Sequence, residues 1–148
     1  MAEEWKTIAN LTLHSPSKEM VEWGEQKDVV DAGWGQYRSD RLSKVRFTEP
    51  ILPKTFTWGE DAHDIAQHVN DQMQRVYEMG AKSVLVGGLS DLTYYQIHAA
   101  LSDGLAVYVA DTERVRDEND RFVFKFRGLR RVQPAERLFA NLSAEAEE

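Results

Sequence analysis

The fold is decided by residues 82–113, KSVLVGGLSDLTYYQIHAALSDGLAVYVADTE. Its first run, Ser83–Val86, is continuous rather than alternating, as expected for a strand buried on both faces of a parallel sheet. Recurring apolar residues predict a helix over Asp91–Ser102, which Asp103 and Gly104 end. Residues 105–110 are a second buried strand. Strand, helix and strand in so few residues predict a parallel pair joined by a right-handed crossover.

Similar patterns occur on the N-terminal side of this unit. Three short β-prone runs predict strands: residues 7–13, 29–30 and 44–47. Two stretches predict helices, the first starting at the capping residue Ser17 and the second with apolar residues at three- and four-residue steps: residues 17–24 and 60–79. Gly80 ends the second helix. Residues 32–42 are predicted to be a loop, in which Trp34 and Tyr37 either anchor to the core or line a pocket.

The C-terminal part adds an antiparallel edge. Residues 121–127 alternate charged or branched residues with phenylalanines, which predicts a half-exposed strand. A polar turn at residues 117–120 joins it to the preceding strand as a hairpin. Residues 141–148 are acidic and poor in core-forming residues, so a disordered tail is predicted there. The predicted fold is α/β: residues 1–140 form a single Rossmann-like domain with a mostly parallel sheet, helices on both faces and an antiparallel edge hairpin.

Composition limits the class of protein. The chain has 148 residues, of which 42% are hydrophobic, enough for one domain with a core. No apolar run approaches the ~20 residues that a bilayer crossing needs, and the N-terminus lacks the features of a signal peptide, so no membrane partner is expected. The lack of cysteine fits a reducing compartment, and a cytoplasmic protein is expected. His63 and His68 are five residues apart on a predicted helix, so we expect no metal and no cofactor.

Charge disfavours one class of partner and allows another. The net charge of −7 argues against nonspecific binding to duplex DNA, which relies on many Lys and Arg contacts to phosphates. Residues 121–137 nevertheless contain six basic side chains and one acidic one. This segment is either a basic surface for a small polyanion or a solvated strand edge whose charges discourage edge-to-edge pairing.

The turn after the strand Ser83–Val86 is the strongest candidate for ligand binding. Ligands of open α/β sheets gather where strands end and helices begin, because backbone N–H groups and the helix dipole converge there. Glycine lets a phosphate approach the backbone, and hydroxyl groups can donate hydrogen bonds to it. The residues assigned to this site are Gly87, Gly88, Leu89, Ser90, Thr93 and Tyr94. Alternatively, the glycines only form the turn while Ser90 or Asp91 caps the helix, and capping is the role predicted for Asp91.

Two further polar clusters are predicted at the same edge of the sheet. His14 and Ser15 follow the first strand. The imidazole of His14 is a candidate general acid or base or a donor to phosphate, and otherwise a packed structural histidine. Glu113 and Arg114 follow the second buried strand of the central unit. Arg114 either clamps a phosphate or forms a surface ion pair with Glu113 or Asp111.

Four short motifs occur in order along the chain: NLTLHSP (10–16), VLVGG (84–88) leading through LTY into a helix, VYVADTER (107–114) and FVFKFRGL (122–129). Their order and spacing resemble those of the small CRISPR-associated proteins of the ring-nuclease group, over residues 7 to 133. The resemblance implies a homodimeric Rossmann-like domain, related to the sensor domains of type III CRISPR effectors. It further implies that the dimer binds a cyclic oligoadenylate across its two-fold axis.

In such proteins a 2′-hydroxyl of the ring attacks the neighbouring phosphate without a metal, which requires in-line positioning and donors for the charge on phosphorus. The matching positions are His14 as the catalytic residue, Ser15, the turn from Gly87 to Thr93, and Glu113 with Arg114. Val115 stands where relatives tend to have a basic residue. The predicted function is cleavage of a cyclic oligoadenylate messenger, which would switch off antiviral signalling. The alternatives are a module that binds the nucleotide without cutting it and a small interaction protein without a nucleotide ligand.

Overall fold

The computed structural model describes residues 5–25, 44–57, 59–88 and 90–146, with side chains as far as Leu142. The elements in chain order are β1 Trp5–Asn10, α1 Lys18–Gly24, β2 Lys44–Phe47, α2 Ala62–Glu78, β3 Ser83–Val86, α3 Asp91–Ser102, β4 Ala106–Arg116, β5 Phe122–Val132 and α4 Ala135–Ala146. The strand, helix and strand predicted from residues 82–113 are therefore confirmed as β3, α3 and β4.

The strands form one sheet in the order β2-β1-β3-β4-β5. β1 is parallel to β2 and β3, and β3 is parallel to β4. β5 is antiparallel to β4 and lies at the edge. This confirms an α/β protein with a mostly parallel sheet and an antiparallel edge hairpin. The direction of the strand order reverses at β1, because the chain runs from β1 out to β2 and then back across β1 to β3 and β4.

Buried side chains pack in two layers, one on each face of the sheet. On one face, α2 and α3 cover a cluster that includes Val84 and Val86 of β3. On the other face, Trp23 of α1 packs against a cluster that includes Leu85 and Tyr108. Crossovers of one hand place helices on opposite faces when the chain changes direction along the sheet. The helices predicted on both faces are thus present.

Local signals start and stop the helices close to the predicted residues. Ser17 caps α1 and Ser90 caps α3, each accepting the backbone N–H three residues further on. α2 begins at a reciprocal capping box between Asp61 and Asp64. It is followed by Gly80 at a φ of 71°, which glycine adopts without strain.

Three strands end at residues different from those predicted. β5 runs to Val132 rather than to residue 127, because it pairs with β4 as far as Val107. β1 stops at Asn10 rather than at residue 13, because hydrogen bonds of the Asn10 side chain to residues 12 and 14 turn the chain away from the sheet. β4 continues beyond residue 110 to Arg116, because β5 pairs with it along its outer part. The pairing of β3 with β4 ends at Val109, so the hairpin projects past its neighbour. We call residues 112–127 the hairpin arm.

The C-terminal segment is a helix where a tail was predicted. α4 extends to Ala146, so the residues expected to be disordered from 141 onward are helical as far as that position. The carbonyl of Pro134 accepts the N–H groups of Arg137 and Leu138 and so starts the first turn. Leu138 and Leu142 are four residues apart and give the helix an apolar side, a pattern that the acidic composition of the segment concealed.

Several predictions concern positions outside the described residues. They are the strand at residues 29–30, the loop that contains Trp34 and Tyr37, and the ligand contact of Leu89. Within the described ranges, no helix combines the length and the apolar composition needed to cross a bilayer.

Candidate functional site

A cavity of about 500 Å³ opens at the carboxyl ends of β1 and β3, beside Val109 and Ala110 in the middle of β4. The strand order reverses between β1 and β3, and open α/β sheets bind ligands at such a switch point. The volume lies within the range of small-molecule sites. The polar and charged side chains among the described lining residues are Asn10, Thr12, His14, Ser15, Thr93 and Arg130.

Asn10 holds the loop that carries His14. Its side chain is fully buried at the end of β1. The amide Nδ2 donates to the His14 carbonyl at 2.9 Å. The amide Oδ1 accepts from the N–H and the hydroxyl of Thr12, at 3.0 and 2.6 Å. These three bonds fix the backbone of residues 12–14 at the edge of the cavity.

Two buried glutamines connect the same loop to the helices beneath it. Gln96 of α3 donates through Nε2 to the Leu11 carbonyl at 3.1 Å and to Oε1 of Gln72 at 2.9 Å. Gln72 of α2 in turn donates to the Ile51 carbonyl at 2.9 Å. Buried amides are costly unless they are hydrogen-bonded, so this satisfied chain favours one arrangement of α2, α3 and the β1–α1 loop.

His14 and Ser15 both line the cavity, but their polar atoms are differently engaged. His14 is exposed, and its imidazole makes no hydrogen bond to the described part of the chain. Both ring nitrogens are therefore open to a ligand. The Ser15 hydroxyl donates to the carboxylate of Glu49, which disfavours a second negative charge at that hydroxyl. Of the two, His14 is the better placed to meet an anion.

The β3–α3 turn forms the opposite wall of the cavity. Gly88 has a φ of 97°, in the left-handed region that side chains rarely adopt. A Cβ on Gly87 would lie 3.5 Å from the methyl group of Thr12, so the turn and the loop are in van der Waals reach. Thr93 is buried and donates its hydroxyl to the Gly87 carbonyl at 2.8 Å. Its hydroxyl proton thus supports the turn, which differs from the predicted donation to a ligand.

Ser90 and Asp91 both serve the first turn of α3. The Ser90 hydroxyl accepts the N–H of Thr93 at 3.4 Å from an extended backbone with a φ of −147°. Asp91 lies one position further on, and its Oδ1 accepts the N–H of Leu92 at 3.0 Å. The prediction that Asp91 is the cap is wrong, because Ser90 occupies the cap position. Ser90 is not among the cavity-lining residues.

Three other predicted ligand residues also lie outside the cavity lining. Tyr94 is 66% exposed, and its ring packs edge-on against that of the next residue. Glu113 pairs with Arg127 across the hairpin arm. The guanidinium of Arg114 stacks over the ring of Phe122 at 3.9 Å, in place of the surface ion pair that was the alternative prediction. The last two residues were expected at the sheet edge, and they lie on the arm because β4 continues as a strand.

Arg130 is a cavity residue that the sequence did not single out. It lies on β5 opposite Val109, is exposed, and forms no ion pair with a carboxylate of the described segments. The basic character of residues 121–137 was visible in the sequence. Strand alternation, however, places Arg130 and Arg131 on opposite faces, and only the register with β4 shows which of them reaches the cavity.

The half-buried histidine of α2, His68, has a structural role. In the described ranges, no group of three His, Asp or Glu side chains could hold a metal ion. His68 packs edge-on against Phe56, with ring centroids 5.3 Å apart. Burial lowers its pKa, as does the nearby Lys54 ammonium, against the opposing effects of Asp71 and the Leu52 carbonyl. Packing therefore favours the neutral form of this ring.

No family model matches the chain, and neither a curated protein nor a solved structure is similar enough to it to count as a match. The resemblance to the ring-nuclease group accordingly stays a prediction from the sequence motifs.

Proposed function

We propose that the cavity binds a cyclic oligoadenylate through one of its phosphodiester groups, and that the bound ring is opened by its own 2′-hydroxyl. The observation that carries the binding part is the convergence of His14, the glycine turn and Arg130 on one cavity at the switch point of the sheet. The ligand class comes from the motif resemblance. A Rossmann-like domain, a homodimer and a cytoplasmic location belong to the same proposal.

Arg130 supplies the main attraction for a phosphate. Its planar guanidinium can donate two parallel hydrogen bonds to phosphate oxygens. The glycines of the β3–α3 turn allow close approach to the backbone, and the positive end of the α3 dipole lies at the same turn. The chain as a whole carries a charge of −7, so attraction depends on these short-range groups rather than on long-range steering.

The proposed reaction forms one phosphorus–oxygen bond and breaks another. The 2′-hydroxyl loses its proton as its oxygen bonds to phosphorus, and the bond from phosphorus to the 5′-oxygen of the next nucleotide breaks. That 5′-oxygen takes up a proton, which leaves a 2′,3′-cyclic phosphate and a 5′-hydroxyl. His14 accepts the first proton or donates the second, and Arg130 offsets the charge that develops on the phosphate oxygens.

A module that binds the ring without cutting it is the second candidate. The reaction needs two proton transfers, whereas His14 is the one His, Asp, Glu, Lys or Tyr side chain among the described lining residues. Glu49 contacts the same loop through Ser15 but does not line the cavity. A site with a single acid–base group favours slow cleavage or none, and the protein would then sense or sequester the nucleotide.

Incubation of the protein with cyclic tri-, tetra- and hexa-adenylate in EDTA, followed by chromatography, separates the candidates. Cleavage predicts linear products that end in a 2′,3′-cyclic phosphate. His14→Ala should slow it by about 10²–10⁴-fold, the usual contribution of a positioned acid or base. His98→Ala is the matched control, because His98 is an exposed histidine of α3 outside the cavity lining. Cleavage at the wild-type rate by His14→Ala would remove His14 from the mechanism.

Thermal melting with the same rings tests binding itself, since a ligand that binds the folded state raises the melting temperature. An intact ring with a raised melting temperature supports the binding module. Arg130→Ala should weaken binding by about tenfold or more, the value of a charge-assisted hydrogen bond. Arg131→Ala, on the opposite face of β5, should not. No shift with any ring would refute both candidates and leave an interaction protein without a nucleotide ligand.

A further inference from the structure

The outer end of the hairpin arm carries an exposed aromatic face. Phe122 and Phe124 are two residues apart on β5, so both side chains project from the same face of the strand. They are 52% and 75% exposed. Nearer the sheet, Phe126 continues the same row but packs edge-on against Trp23 of α1. The outer two rings therefore remain open to solvent where the inner one is covered.

Two arginines of β4 lie on this face as well. Arg116 is paired with Phe122 across the hairpin, and Arg114 with Phe124. Both guanidinium groups stack over the Phe122 ring, at 3.9 Å for Arg114 and 4.7 Å for Arg116. Arg116 also pairs with Asp120 at 2.7 Å, whereas no carboxylate of the described residues pairs with Arg114. The face thus combines flat π surfaces with a cation whose charge is not neutralised beside it.

We propose that this face, formed by Arg114, Arg116, Phe122 and Phe124, binds the unpaired bases and the backbone of a single-stranded nucleic acid. Bases stack on aromatic side chains with little sequence preference, and arginines contribute both cation–π contacts and phosphate pairing. Phe124 supplies the open ring and Arg114 the phosphate contact. The face lies on the arm and does not include the cavity residues, so it does not depend on the cavity binding a nucleotide.

Charge separates this partner from two others. In a two-fold contact between copies of the chain, the arginines of one face would meet those of the other, and like charges across an interface are costly. Surfaces that bind anionic lipids carry clusters of four or more basic residues, whereas this face has two arginines. A single strand of nucleic acid needs only a ring and a nearby cation at each nucleotide. Pairing of Arg114 with a phosphate predicts that binding weakens as the salt concentration is raised.

Fluorescence anisotropy with a labelled twelve-nucleotide single strand of oligoadenylate tests the proposal. The wild-type protein should bind the single strand at low salt and bind the same strand more weakly when it is in a duplex. Phe124→Ala should weaken binding about tenfold, the value of one base–aromatic stack, and Phe124→Trp should restore it. Phe139→Ala is the matched control, because Phe139 is 67% exposed and belongs to α4 rather than to the hairpin arm. Circular dichroism checks that each variant keeps its fold.

Several outcomes would overturn the proposal. One is that the wild-type protein does not bind the strand, and another is that Phe124→Ala and Phe139→Ala weaken binding equally. If Arg130→Ala abolishes binding while Phe124→Ala leaves it unchanged, the strand binds at the cavity. If Phe124→Ala instead abolishes binding to phosphatidylserine vesicles, or converts a dimer into a monomer in sedimentation, without changing the affinity for the strand, the face serves a membrane or a second copy.

Discussion

Replacing Asn10 by alanine should release the loop that carries His14 from the end of β1. The change removes three hydrogen bonds, one to the His14 carbonyl and two from Thr12. Each contributes about 0.5–1.5 kcal/mol to the free energy of unfolding, so together they contribute about 1.5–4.5 kcal/mol. Water can replace part of this, because Thr12 is half-buried and His14 is exposed. The cavity left at this fully buried position adds to the destabilisation. We therefore expect the free energy of unfolding to fall by about 3 kcal/mol.

Urea unfolding followed by tryptophan fluorescence measures this loss. Asn70→Ala is the control, because Asn70 is exposed on α2 and its substitution should change the free energy of unfolding by less than about 0.5 kcal/mol. Asn10→Asp keeps the acceptor for Thr12 but sets a carboxylate against the His14 carbonyl, so it too should be destabilising. A loss below about 1 kcal/mol for Asn10→Ala would refute the view that this side chain organises the loop.

Two further substitutions test packing on the two faces of the sheet. Gly24→Ala should destabilise the protein by about 2 kcal/mol in urea unfolding, because a Cβ there overlaps the Val45 carbonyl oxygen. The cost of overpacking, about 1–3 kcal/mol, exceeds any gain in helix propensity. Unchanged stability would mean that α1 can move away from β2. Burial lowers the pKa of His68, so as the pH falls the unfolded chain binds a proton before the folded protein does. The free energy of unfolding should therefore decrease as the pH falls below about 6.5, the pKa of histidine in an unfolded chain. His68→Gln should reduce the difference in unfolding free energy between pH 7.5 and pH 5, and an unchanged difference would assign it to other groups.

The central unit could be predicted because its signals are local. Continuous apolar residues in β3, a capping serine at Ser90 and a glycine turn before it each act within a few residues of the chain. The same holds for α2, which has its capping box at one end and Gly80 at the other. Ser90 and Asp91 are both residue types that cap helices, so the sequence did not show which of these neighbours caps α3.

The parts of the site that could not be predicted depend on contacts between distant residues. Asn10 was read as part of a strand motif, and its role follows from bonds to a loop that folds back on it. Arg130 reaches the cavity only because of the register of β5 against β4. Glu113 and Arg114 lie away from the cavity because β4 continues as a strand to Arg116. The sequence did not predict this, because an eleven-residue strand with a polar end resembles a shorter strand followed by a polar loop.

The position of β1 within the sheet has a consequence for the order of folding. β1 lies between β2 and β3, so Ile8 pairs with Ser83, which lies far along the chain, whereas β3, α3 and β4 each contact the element that follows them. Contacts between neighbours along the chain form faster than those that close long loops. We therefore expect β3, α3, β4 and β5 to assemble first when the full chain refolds and β1 to insert last, so that the cavity is completed only when the N-terminal strand joins the sheet.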